Sequence, residues 1–118
     1  MENTVNSIHL SLDLYGCTEE ILSSSKMLEE ILHQVAPILI GEITEESLAP
    51  FPEKGVSAVI LNDKSKLSLH TWPHKKYAAL EYCTLEKHVD VKSGIDMMVA
   101  KLGASTSEIK TNLDEDTL

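Results

Sequence analysis

Lys64-Ser65-Lys66-Leu67-Ser68-Leu69-His70-Thr71-Trp72-Pro73-His74 is apolar at every second position through Leu67 and Leu69, which predicts a β-strand. Side chains alternate across a strand, so Ser68 and His70 project to the face opposite the two leucines, with Ser65 at its mouth. The single Trp follows, and Pro73 stops the ladder. A polar and potentially reactive set therefore shares a face that an ordinary core strand leaves to solvent.

Outward from this run, Asn62-Asp63-Lys64 is turn chemistry, and residues 56–61 are an apolar strand interrupted only by Ser57 and Ala58. Residues 77–84 read as the next strand. At the start of the chain, Ile8, Leu10, Leu12 and Leu14 alternate with His9, Ser11, Asp13 and Tyr15, a half-buried strand ended by Gly16. Thr18 is a candidate N-cap, with Glu19 and Glu20 suited to a first helical turn and an apolar stripe running to Val35; Pro37 marks the expected limit. Residues 38–43 are expected as a strand and 44–55 as a loop. Asp90 caps a second helix with Val91, Ile95, Met98 and Leu102 on one face, closed by Gly103. The expected fold is α+β: a two-layer sandwich of an antiparallel sheet with two helices packed on one face, in a single domain over residues 1–104. The polar residues 105–118 are expected as a disordered tail.

The chain has 118 residues, 19 acidic against 10 basic, for a net charge of −9, and every basic residue is Lys. An acidic chain without Arg argues against nucleic acid as a partner. No signal peptide or membrane-length apolar run is visible, so a cytoplasmic protein without a membrane partner is expected, and Cys17 and Cys83 are expected as free thiols. His70 and His74 have a His-x-x-x-His spacing, but Pro73 between them breaks helical geometry, so no metal site is expected. The five glycines are isolated, so there is no phosphate loop.

A Ser/His pair on a polar strand face is, on pattern alone, usually a solvated face. Ser57 inside an apolar run is less ordinary, because a buried hydroxyl needs a partner. Pairing of its strand with that of His70 could bring Ser57, Ser65 and His70 together; spacing leaves this open. Cys83 at a strand end is by itself a small hydrophobe.

Islands in order along the chain carry more: His9-Leu10 through Tyr15-Gly16-Cys17, Gly55-Val56-Ser57, Ser65-x-Leu67-Ser68-x-His70-Thr71-Trp72-Pro73, Tyr77-Ala78-Ala79 and His88-Val89-Asp90. In these the chain resembles the small prokaryotic S-adenosylmethionine decarboxylases over roughly residues 7–103. The resemblance implies a self-cleaving enzyme of spermidine biosynthesis whose cofactor, a pyruvoyl group, derives from Ser65. Ser65 would attack the carbonyl of Lys64, and β-elimination would split the chain between Lys64 and Ser65, with Ser57 and His70 assisting and His70 moving a proton. The pyruvoyl carbonyl would then take the substrate amine as a Schiff base and accept the electrons released as CO2 leaves. It further implies a homodimer, each protomer cut into two chains.

Three positions depart from the family pattern. Lys64 and His74 stand where Glu is usual, and Leu85 holds the place of the proton-donating cysteine. Cys83, two residues earlier and so on the same strand face, is the candidate substitute. Two further readings follow from these departures: a pyruvoyl-dependent decarboxylase of an amino acid such as ornithine or arginine, and an unprocessed, non-catalytic homologue.

Overall fold

In the computed structural model, which describes residues 7–114 (side chains to 110), the run quoted above is strand β4, Ser65–Trp72. Before it come β1 (Ile8–Tyr15), helices α1 (Glu19–Leu22) and α2 (Ser25–Leu39), and strands β2 (Glu45–Phe51) and β3 (Gly55–Leu61). After it come a single 3₁₀ turn at Pro73–Lys75, β5 (Tyr77–Thr84), α3 (Val91–Lys101) and β6 (Thr106–Asp114). The six strands form one sheet in the order β2-β3-β4-β5-β1-β6, and every neighbouring pair is antiparallel. The α+β architecture expected from the sequence is the one observed.

The period of two assigns the two faces. Ser65, Leu67, Leu69 and Thr71 of β4 are buried on the helix side, joined by alternate residues of β1, β3 and β5 and by the apolar stripes of α2 and α3. Two hydroxyls tie this face to the helices: Thr71 donates to the Leu22 carbonyl at 2.7 Å and Tyr82 to the Leu39 carbonyl at 2.6 Å. Among the described residues no helix lies over the other face. It carries Lys66, Ser68, His70 and Trp72 of β4, with Ser57 and Val59 of β3 and Glu81 and Cys83 of β5 beside them.

Four expectations are corrected. Residues 38–43 are not a strand, because α2 continues through Pro37 to Leu39, whose burial completes the stripe of Leu28, Leu32 and Val35. One lost backbone bond at Pro37 is outweighed by burying another turn of apolar surface. The helix stops at Gly41, in the left-handed region at φ 86. The strand follows instead at β2, inside the expected loop. β2 is an edge strand, where charges and Pro50 are tolerated because only one side of the ladder is paired. The expected single first helix is broken at Ser23-Ser24, where the Ser24 hydroxyl accepts from the Met27 N–H at 3.1 Å and caps α2.

Finally, residues 106–114 are not a frayed tail but β6, paired along β1 on the opposite edge. Its composition is polar because an edge strand needs little core, and its Thr residues suit a strand. The ladder shifts register between Ser11 and Leu12, leaving Lys110 as the extra residue of a bulge. The expected tail beyond 114 lies outside the described residues.

Candidate active site

The β3–β4 turn presents the Lys64–Ser65 bond. Asn62 Oδ1 accepts from the N–H groups of both Lys64 and Ser65, each at 2.9 Å, and the Asn62 N–H donates to the Ser65 carbonyl at 2.9 Å. Ser65 is 4 % exposed, and its hydroxyl lies 2.6 Å from that of Thr84, its cross-strand partner. Thr84 also accepts from the Glu86 N–H at 3.0 Å. The Lys64 carbonyl accepts from the Leu85 N–H at 2.9 Å. The last residue of β5 and the one after it therefore hold both the hydroxyl of Ser65 and the carbonyl that precedes it.

Ser57 and His70 do meet. They are register partners on the open face, with Ser57 Oγ 2.9 Å from His70 Nδ1. Two local features seat them. Gly55, at the start of β3, lies so close to β4 that a Cβ there would come 2.2 Å from the Thr71 carbonyl oxygen. Phe51 packs against both His70 and Trp72, with ring centroids at 5.6 and 5.0 Å. Ser65 does not join this pair. It lies five residues along β4, a separation of roughly 16 Å, and its parity turns it to the helix face.

Cys83 also faces away from the Ser65 hydroxyl. It stands opposite Lys66 on β4 and His9 on β1, on the open face, where these residues with Ser11 and Glu81 line a cavity of about 340 Å³. Cys17 is buried among apolar side chains, and that burial pushes its thiol up to about 11. Both cysteines are free.

The two charge departures each have a carboxylate partner: Lys64 Nζ is 3.2 Å from Glu86, and His74 Nε2 is 3.0 Å from Glu53. The exposed cluster Glu29, His33 and Glu46 brings three ligand-type atoms within 4.8 Å of one another, and neither His70 nor His74 belongs to it. At the far end of the open face, Asp13 is 8 % exposed and accepts from the Tyr77 hydroxyl at 2.5 Å, with Lys110 Nζ at 3.3 Å. The Tyr77 hydrogen bond, reinforced by Lys110, holds the Asp13 carboxyl below the usual carboxylate range against the opposing effect of burial.

Reasoning from sequence missed Asn62, Thr84 and the Leu85 N–H. Asn62 was legible only as a turn residue. The other two become neighbours of the Lys64–Ser65 bond through the β4–β5 register, which depends on how many residues the intervening turn consumes.

The model of the S-adenosylmethionine decarboxylase family matches residues 8–113. The S-adenosylmethionine decarboxylase proenzyme of Caldicellulosiruptor saccharolyticus is 34 % identical over 110 residues, covering 91 % of this chain and 89 % of that one. The proenzyme of Thermococcus onnurineus is 32 % identical over 111 residues, covering 92 % and 79 %. The crystal structure of the adenosylmethionine decarboxylase from Aquifex aeolicus VF5 superposes with a TM-score of 0.81 at 18 % identity, covering 94 % of this chain and 91 % of that one, which shows the shared fold. By a family match that spans nearly its whole length, the chain belongs to the S-adenosylmethionine decarboxylase family.

Proposed function

We propose that this protein is a self-cleaving, pyruvoyl-dependent decarboxylase of S-adenosylmethionine, made as a precursor and cut between Lys64 and Ser65, whose product supplies spermidine biosynthesis. One observation carries the reading beyond family membership: a buried serine hydroxyl and the carbonyl just before it are both held by residues 84–85. In the cleavage step the Ser65 Oγ bonds to the Lys64 carbonyl carbon, the Lys64–Ser65 C–N bond breaks, and the hydroxyl proton ends on the Ser65 nitrogen. Thr84 is placed to take the hydroxyl proton in relay, and the Leu85 N–H to stabilise charge developing on the Lys64 oxygen. Elimination then removes the Ser65 Cα proton and breaks its Cβ–Oγ bond, leaving Lys64 as a carboxylate and residue 65 as an enamine. This tautomerises to an imine, which water hydrolyses, adding the carbonyl oxygen and releasing ammonia to leave a pyruvoyl group. These residues fit the formation of that group, which supplies an electron sink for decarboxylation of an amine-bearing substrate.

Ser57 and His70 are read as the pair that shuttles protons during cleavage. Their own Ser65 is out of reach, so in this reading the Ser57–His70 pair of a second copy serves each Ser65, and the working unit is a homodimer of protomers each cut once into two chains. The open-face cavity adjoins the chain end that cleavage creates, since its Lys66 directly follows Ser65. There Glu81 offers a negative charge to the substrate's cationic groups, and Cys83 is the proposed proton donor to the product carbon.

The test is release of labelled CO2 by the cleaved protein from carboxyl-labelled S-adenosylmethionine, ornithine and arginine. The reading expects release from S-adenosylmethionine alone. Preference for either amino acid moves the chain to another substrate, and release from none removes the enzyme reading.

A further inference from the structure

Asn62 uses all of its side-chain hydrogen-bonding capacity at one junction. Its Oδ1 accepts from Lys64 N–H and Ser65 N–H, and its Nδ2 donates to the carbonyls of Ile40 at 2.8 Å and Glu42 at 2.9 Å. Two donors at one end and two acceptors at the other fix the orientation of the amide. The same side chain thus anchors the scissile turn to the loop after α2 and touches the nitrogen of the bond that is to break.

We infer that Asn62 promotes cleavage of its own chain by holding the Ser65 nitrogen as it changes from amide to amine. This rests on the reading that Lys64–Ser65 is the self-cleaved bond. When Ser65 Oγ bonds to the Lys64 carbon and the C–N bond breaks, the nitrogen leaves amide conjugation, gains the hydroxyl proton and becomes basic enough to take another from water. An N–H of a cationic amine makes a stronger bond to a carbonyl oxygen than an amide N–H does. Asn62 Oδ1, already 2.9 Å from that nitrogen, therefore favours the ester over the amide and retards reversal. The bond to Lys64 N–H keeps the turn closed meanwhile, so the nucleophile and carbonyl stay beside residues 84–85.

Freshly translated full-length chain followed by intact mass over time tests this, with Asn62→Ala, Asn62→Asp and Thr44→Val beside the wild type. Both Asn62 variants lose the donors to Ile40 and Glu42, so both lower the melting temperature. Only Asn62→Asp keeps an oxygen at the Ser65 nitrogen. The expected result is cleavage slowed about tenfold or more in Asn62→Ala and largely restored in Asn62→Asp. Thr44→Val removes a different bond of the same junction, Thr44 Oγ1 to the Leu61 carbonyl at 3.2 Å, and is expected to cleave at the wild-type rate. Equal slowing of both Asn62 variants, in step with their stability, would make the residue structural only and overturn the inference. So would wild-type cleavage by Asn62→Ala. A wild type that never cleaves removes the underlying reading instead.

Discussion

At the scale of single residues, the decisive contact is between two hydroxyls, Ser65 and Thr84, 2.6 Å apart in a buried position. Thr84→Val keeps the shape but leaves Ser65 without its partner. Cleavage is expected to fall at least about tenfold, with about 1–3 kcal/mol lost from stability, and Thr84→Ser should restore both. Time-resolved mass and denaturant unfolding measure the two effects. The Ser57–His70 pair was within reach of sequence reasoning, because strand alternation and the family pattern both singled out its members. Its separation from Ser65 was legible too in principle, since residues 65 and 70 differ in parity, yet proximity in sequence masked it. Thr84 was not legible: nothing in a lone Thr at a strand end marks it until register puts it opposite Ser65.

At the scale of elements, the strands with a buried face were readable and the edge strands were not. β1, β3, β4 and β5 announce themselves by alternation or by apolar runs, because each buries a face under the helices. β2 and β6 have one neighbour each, need little core, and so look like loop and tail. The helix layer has its own test at Gly94, where a Cβ would come 2.3 Å from the side chain of the buried Leu39. Overpacking there costs about 1–3 kcal/mol, against a gain of about 1 kcal/mol in helix propensity, so Gly94→Ala is expected to destabilise rather than stabilise by denaturant unfolding. On the opposite face, Asp13 has its folded pKa lowered from 3.8, so the native state binds fewer protons than the unfolded chain in that acid range. Its contribution is present above the unfolded value and lost as pH falls through the folded one. The melting-temperature difference between wild type and Asp13→Asn should therefore be largest near neutral pH and shrink in acid; a gap independent of pH would contradict this.

At the scale of the whole molecule, the helices of the described residues lie on one side of the sheet and the chemistry-bearing residues divide between its two faces. Ser65 and Thr84 are on the covered face, and Ser57, His70, Lys66 and Cys83 on the open one. A single protomer therefore separates the groups that the proposed cleavage needs. If a second copy supplies Ser57 and His70, mixed translation of Ser65→Ala with His70→Ala chains should cleave the His70→Ala chain, because its intact Ser65 meets a native His70. Neither variant alone should cleave at an appreciable rate. Cleavage of His70→Ala alone at the wild-type rate would place His70 outside the step.

The claim on which all of this depends is the scission of one peptide bond. Intact mass of the purified wild-type protein should show two chains in equal amount, residues 1–64 and residues 65–118, the second lacking a free amine at its start. Ser65→Ala should give one uncut chain. A wild type that remains a single species of 13.0 kDa, indistinguishable in behaviour from Ser65→Ala, would contradict the account.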